Sequence, residues 1–418
     1  MRPRQLLAIS AYWFAVNLHW GALLVVIMPR QVELMWPARQ AQLLGVIFGV
    51  GALVALVTPP IVGAYSDRSL SPWGRRRPYM TAGVAINLLG LLMMWAAGNR
   101  LSFWLFLLAY LVVQLGNNVS TGSYTGVIPD LVPEGQVGDA SGYMAAMTQL
   151  GTVLGGFSSG YLMGHGYVSA SYLIIGVTLL LALGVTLVGV RERPLAQAPA
   201  AITWIGVLKS LWIDPRRHPD FAWVWVTRAL VTMGMWTVQP FIQPYLRDVV
   251  HVKDYVQQSG VLLGTILIGA TAAGLVGGRL SDRIGRKRVV YVANGVIAAA
   301  SLVFLLSHSL SFTFAVGVIY GLGFGAYYSV DWALGCDVLP AKADAAKDLG
   351  VWHIAMVLPQ SVAPFIAGGV LQRFALTGHT ALAGQAAYSL AGYSVIFSLA
   401  AFFLALGAVL LRNVRGVR

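Results

Sequence analysis

The stretch Gly63-Ala64-Tyr65-Ser66-Asp67-Arg68-Ser69-Leu70-Ser71-Pro72-Trp73-Gly74-Arg75-Arg76-Arg77-Pro78 sets a carboxylate among arginines between two long apolar runs. A shorter version stands later in the chain, Ser281-Asp282-Arg283 followed by Gly285-Arg286-Lys287-Arg288. A second echo places Pro129-Asp130-Leu131-Val132-Pro133 beside Cys336-Asp337-Val338-Leu339-Pro340, followed by Gly142 and Gly350 respectively. Two independent matches at corresponding places mark an internal duplication.

The runs around these loops are membrane spans. Of 418 residues, 57% are hydrophobic and 10% are charged, so most of the chain belongs in hydrocarbon. Stretches of roughly 20 apolar residues, the length that crosses ~30 Å as a helix, begin at Ile9–Pro29 and Gln40–Val62. Further runs centre near Ala85, Gly116, Gly151, Leu179, Met233, Ile266, Val296, Leu322, Leu358 and Phe402. The expected fold is an all-α integral membrane protein with twelve transmembrane helices in two pseudo-symmetric six-helix bundles. Residues 1–190 form the first bundle and 221–418 the second. Residues 191–220 form a cytoplasmic linker, with Pro194, Pro199 and Pro215 and an amphipathic piece at Trp204, Leu208, Leu211 and Trp212.

The net charge of +13 is topological rather than a nucleic-acid footprint. Arg and Lys crowd both termini and the even-numbered connections, whereas the odd-numbered ones hold only Arg30, Arg39, Arg100, Arg247, Lys253 and Arg373. The positive-inside rule then places both termini in the cytoplasm. The first span, with Asn17, His19 and Trp20 inside it and no small-residue cleavage pattern, is a retained helix rather than a removable leader. Cys336 is the single cysteine, which leaves no internal disulfide and no cysteine-ligated metal.

The Asp67–Arg77 loop, the duplication and the topology together resemble the major facilitator transporters over the whole chain. The long spacing from Asp67 to Gly74 and the Arg-Arg-Arg-Pro ending look like the sucrose–proton symporters and related glycoside-pentoside-hexuronide permeases. The resemblance implies secondary transport of a small solute by alternating access, usually by a monomer, with no cofactor. It also implies that Gly63, Asp67, Arg68, Arg75, Arg76 and Arg77, echoed by Asp282, Arg283 and Arg286, latch the cytoplasmic side. A carboxylate at a helix end can pair with Arg and with a neighbouring helix N-terminus, and Gly63 and Gly277 would permit close packing. The alternative is that the basic cluster anchors the loop at anionic headgroups. The Arg and Gly-Pro features of drug–proton antiporters are missing from Tyr110–Gly116 and Gly151–Gly156.

Helical spacing selects the candidate solute surface. In the fourth span Gln114, Asn117, Asn118, Thr121 and Thr125 form a polar stripe, either lining a cavity or joining helices. In the seventh, Arg228, Thr232, Met235, Gln239 and Gln243 continue one stripe flanked by Trp236. The tenth offers Tyr320, Phe324, Tyr327, Tyr328 and Asp331, and the eleventh His353 and Gln360. Asp331, ionisable inside a span, is a functional candidate by default. Arg228 lies at similar depth and is its expected partner, in a pair that solute or a proton opens or in a static structural bridge. Asn17 and His19 are about 200° apart, so only one faces the cavity; Asn17, with Trp13 and Trp20, is the candidate. His19 and His353 could carry a coupled proton or simply pack.

The expected function is proton-coupled symport of a sugar or glycoside in a plasma membrane, with export of lipophilic compounds or lipid as the alternative. In the glycoside permeases that the loop resembles, sodium coupling uses carboxylates in the second span; Gln40–Val62 holds none, so the resemblance disfavours a matching sodium site. A membrane enzyme would need paired acidic or His-Asp motifs, and an ATP-driven pump would need a phosphate loop; neither is present.

Overall fold

The computed structural model describes residues 2–133, 136–189, 213–339, 345–376 and 387–415, excluding the side chains of residues 128, 129, 137, 138, 275, 279, 332, 345–350 and 353. The amphipathic part of the expected linker lies outside the described residues. Twelve long helices follow in chain order among them: α1 (Pro3–Ala22), α2 (Gln40–Ser66), α3 (Arg77–Asn99), α4 (Phe103–Tyr124), α5 (Val137–Gly164) and α6 (Val168–Gly189), then α7 (Pro219–Val238), α8 (Tyr255–Ile284), α9 (Arg286–Val303), α10 (Leu310–Asp337), α11 (Ala345–Gln372) and α12 (Leu390–Leu410). A π turn, Leu23–Ile27, carries α1 on into a short helix, Met28–Met35.

Among the described residues, ten helical runs are long and apolar enough to cross a membrane. The other two long helices, α5 and α7, have diluted hydropathy: α5 is rich in Gly and Ser, and α7 carries Arg228 and three tryptophans. Helices satisfy every backbone group within the segment, the condition for spanning hydrocarbon. Large apolar side chains such as Leu181, Val188, Ile268 and Val292 stand exposed on the helix surfaces, as expected where lipid replaces water.

The chain divides into two compact units, Met1–Trp36 with Val50–Ile202, and Pro37–Gly49 with Thr203–Arg418. In the first, α1 packs on α5 and α6, and α3 on α4. In the second, α7 packs on α11 and α12, α8 on α10, and α9 on α10 and α12.

The α8–α10 seam is close because small residues face it. A Cβ at Gly325 would fall far inside contact distance of the Ala270 carbonyl oxygen, and one at Gly321 would do the same to Ile266. Backbone approach of this kind drives helix association where no hydrophobic effect operates between helices. Gly325→Ala is therefore expected to cost about 1–3 kcal/mol through overpacking, read as a lowered melting temperature of the purified protein.

At the end of the second unit opposite the α8–α9 loop lies a buried polar knot. Asp248, on the short helix Ile242–Asp248, accepts from Arg247 Nε at 2.6 Å and Nη2 at 3.1 Å. It also accepts from the backbone N–H of Ala387 (3.1 Å) and Tyr388 (3.2 Å) and from the Tyr393 hydroxyl (2.8 Å). Arg247 Nη1 donates to Gln40 at 3.1 Å, and the Ala41 N–H donates to the Tyr388 hydroxyl at 2.9 Å. The knot ties the start of α2 and the start of α12 to the chain following α7.

Candidate functional site

In the first unit the chain leaves α2, turns at Gly74 with φ +109°, and enters α3 at Arg77. Positive φ suits glycine, which lacks the Cβ that would clash there. The turn delivers Arg76 into a buried position where Nη2 meets Asp67 at 2.9 Å, Nε meets Asp130 at 2.5 Å, and Nη1 donates to the Ser123 carbonyl at 3.0 Å. Arg75 reaches the same Asp130 oxygen at 2.6 Å. The second unit repeats the device: Gly285 has φ +98° and Arg286 meets Asp337 at 3.0 Å. The two sequence echoes are thus joined in space, since in each unit the arginine after the turn glycine grips the aspartate that follows α4 or ends α10.

Other members of the expected latch sit elsewhere. Arg77 donates to the Leu187 carbonyl at 2.6 Å, and Arg68 to the Ala64 carbonyl at 2.9 Å. Asp282 and Arg283 are exposed and form no ion pair among the described residues. Within the first unit a Cβ at Gly63 would meet the Gly122 carbonyl at an ordinary 3.7 Å, whereas at Gly277 it would press on Ser329 Oγ at 2.6 Å. The approach is thus closer at Gly277, where a serine hydroxyl would have to shift, than at Gly63.

The second unit holds a buried ion pair. Arg228 Nη2 lies 3.4 Å from Asp331 Oδ2, with the two side chains 5% and 3% exposed, so neither charge is shared with water. Tyr327 donates its hydroxyl to Asp331 Oδ1 at 3.0 Å. The Arg228 guanidinium carbon stands 3.0 Å above the Trp352 ring centroid, and Nη2 also approaches Met356 Sδ at 3.5 Å. Stacking on an indole face compensates a desolvated guanidinium. Arg228 Nη1 is buried and has no hydrogen-bond partner among the described residues. An ion pair of this kind has spare donor capacity.

Beside the pair on α10, Tyr328 stacks on Phe324 with centroids 4.6 Å apart; elsewhere in the second unit Trp236, Gln239 and Gln360 are partly exposed. The expected α7 stripe breaks before its last member. Helix α7 ends at Val238, Gln239–Phe241 forms a 3-10 turn, and Gln243 belongs to the next short helix, where it donates to Ser259 at 3.4 Å. Pro240 lacks the N–H that would continue the ladder, so Gln243 leaves the face of Arg228.

In the first unit the α4 amides form the expected stripe and bond largely to their own helix. Gln114 donates to the Tyr110 hydroxyl at 2.7 Å, Asn118 to the Gln114 side chain at 3.0 Å, and Thr121 to the Asn117 carbonyl at 2.8 Å. Asn117 Oδ1 is buried without a partner among the described residues. Asn17 is partly exposed and donates to the Trp13 carbonyl at 2.8 Å and to Thr148 at 3.4 Å. His19 is fully buried, with neither ring nitrogen partnered among the described residues. The side chain of His353 lies outside the described residues.

Asp130, Asp337, Trp352 and the Arg247–Asp248 knot were not among the expected site residues. The repeated Asp-Leu-Val-Pro and Asp-Val-Leu-Pro could have pointed to the first two. Nothing in an apolar helix distinguishes Trp352 from ordinary packing.

The Major Facilitator Superfamily model matches residues 6–364 and 224–416. The chain belongs to the Major Facilitator Superfamily. Membership makes it a multi-pass membrane protein, a secondary transporter of a small-molecule solute and not an enzyme. The superfamily fold is matched in full by a bacterial homolog of the human lysosomal transporter Spinster, crystallised in an inward-facing, unoccupied conformation. Its TM-score is 0.73 at 16% identity, covering 100% of this chain and 98% of that one. Among superfamily relatives, the multi-drug resistance efflux pump PmrA of Streptococcus pneumoniae is 25% identical over 375 residues, 87% of this chain and 88% of its own length. Sucrose transport protein SUC4 of Arabidopsis thaliana is 28% identical over 173 residues, 38% of this chain and 33% of its own.

Proposed function

We propose that the protein is a proton-coupled symporter of a sugar or glycoside, working as a monomer in a plasma membrane with both termini cytoplasmic. The observation that carries this is the buried Arg228–Asp331 pair, whose arginine rests on Trp352 and keeps one buried nitrogen unpartnered. A proton arriving on Asp331 cancels its charge and frees Arg228 donors for solute hydroxyls; loss of the proton re-forms the pair. Partly exposed Gln239, Gln360, Trp236 and Tyr328 supply a mixture of amide and ring surface suited to carbohydrate in the second unit; Asn17 and the α4 stripe are the polar candidates of the first. Gln243, turned to Ser259, is excluded from this surface. Asp331 rather than His19 carries the proton, because Asp331 has both a hydroxyl and a guanidinium in contact, whereas the described surroundings of His19 offer no relay group. The Asp67–Arg76–Asp130 and Arg286–Asp337 bridges act as the cytoplasmic latches.

A second reading, proton-linked export of lipophilic compounds, is favoured by the whole-length similarity to an efflux pump, against a sucrose-transporter similarity that covers 38% of the chain. Uptake of a labelled mono- and disaccharide panel into proteoliposomes, with and without an inward proton gradient, separates the two. Gradient-stimulated uptake of at least one sugar is expected. Uptake of none, with gradient-driven movement of a lipophilic dye, would replace the first reading by the second.

A further inference from the structure

The second unit contains a cavity of about 70 Å³ in the half opposite the α8–α9 loop. Its aromatic walls are Tyr245, Phe304, Tyr320 and Phe397, with Leu263 and Ile266 closing the α8 side. The rings hold one another in place: Tyr245 packs on Phe397 with centroids 5.3 Å apart and on Phe304 at 6.0 Å, and Phe304 packs on Tyr320 at 6.3 Å. The Tyr245 hydroxyl is already committed to the Phe304 carbonyl at 2.6 Å.

One amide, Gln239, reaches the cavity. The pocket is partly open and its lining is mostly apolar, with Tyr245, Tyr320 and Gln239 as the polar members, so it offers few of the two to four polar partners that hold a water and favours apolar guests. At roughly half the ~150 Å³ that accommodates benzene, the space suits the end of an alkyl chain.

The cavity and the proposed solute site share two helices, α7 and α10. Tyr320 and Phe324 lead along α10 to Tyr327, Tyr328 and Asp331 at helical spacing, and Gln239 continues α7 beyond Arg228 and Met235. Phe324 is about 10 Å along the helix from Asp331 at 1.5 Å per residue. Phe324, Tyr320 and Trp236 also pack against the same buried cluster as Tyr327 and Trp352.

We infer that this cavity is a subsite for the apolar end of the transported solute, a short alkyl group on a hydroxylated head that the Arg228–Asp331 pair holds. The inference rests on the proposed transport of a sugar or glycoside and narrows it to alkyl glycosides.

The test is calorimetric titration of the purified full-length protein in nanodiscs with methyl, propyl, butyl and hexyl glucosides, and with 1-butanol and 1-pentanol in parallel. Affinity is expected to rise about fourfold per added methylene, the factor that ~0.8 kcal/mol per buried CH₂ implies, and to level off before hexyl. Leu263→Phe and Ile266→Phe, which fill the space, flatten that slope. Phe324→Leu, which enlarges it, moves the plateau to longer chains and guards against a filled variant that fails to fold. An identical slope in wild type and in all three variants, or no binding of glucosides and alkanols alike, overturns the subsite. Alkanol binding that the filling variants abolish, with no glucoside bound, supports the apolar cavity and instead overturns the sugar head.

Discussion

Asp331→Asn is expected to abolish gradient-driven accumulation of solute while exchange across the membrane continues. The amide keeps the shape of the carboxylate and can keep the 3.0 Å contact with Tyr327, but it can neither balance Arg228 nor take up a proton. Removing one partner of a buried pair costs about 3–5 kcal/mol, because the other charge stays buried without its counterion. Stacking on Trp352 offsets part of that cost, since a desolvated cation over an indole face gains about 2 kcal/mol. The variant should therefore fold, with a lowered melting temperature, and bind solute permanently in its neutral form. Accumulation and solute-for-solute exchange measured side by side in proteoliposomes check this. Loss of both together would point to a pair that only holds helices.

Asp248→Ala is expected to produce the largest loss of stability of any single substitution in the second unit. The carboxylate receives two bonds from Arg247, two from the Ala387 and Tyr388 backbone and one from Tyr393. Its removal takes two bonds from the buried Arg247 guanidinium, which keeps Gln40, and takes the acceptor from two buried N–H groups, at about 1–3 kcal/mol for each group left unsatisfied. The double variant Arg247→Leu with Asp248→Leu should recover much of the loss, because an apolar pair removes both charges. Thermal unfolding of the single and double variants decides: equal melting temperatures for the two would mean that the knot contributes through the backbone bonds alone.

The architecture was legible because hydrocarbon imposes a simple rule. Spans near twenty apolar residues, short connections and alternating basic loops leave few alternatives, and the duplicated Asp-Arg-Gly-Arg loop set the two halves in register. The Arg228–Asp331 pair was legible for the same reason, since two opposite charges at one depth in neighbouring spans have few other ways to be satisfied. The partners of the loop arginines were not, although both aspartates stood in the repeated motif. Spacing says that Asp130 and Asp337 correspond, but only the positive-φ turns at Gly74 and Gly285 aim Arg76 and Arg286 at them. Gln243 was misplaced because the 3.6-residue period was carried through Pro240, where the helix ends. The Asp248 knot gave no periodic signal, since apart from its neighbour Arg247 its donors come from residues about 140 positions away and two of those are backbone groups.

Proton movement on addition of solute tests the central claim most directly. With wild-type protein in lightly buffered proteoliposomes containing a pH-sensitive dye, adding a transported solute outside should acidify the interior, and Asp331→Asn should abolish the signal while labelled solute still enters solute-loaded vesicles by exchange. A solute-induced acidification that persists in Asp331→Asn would place the coupled proton elsewhere and contradict the account.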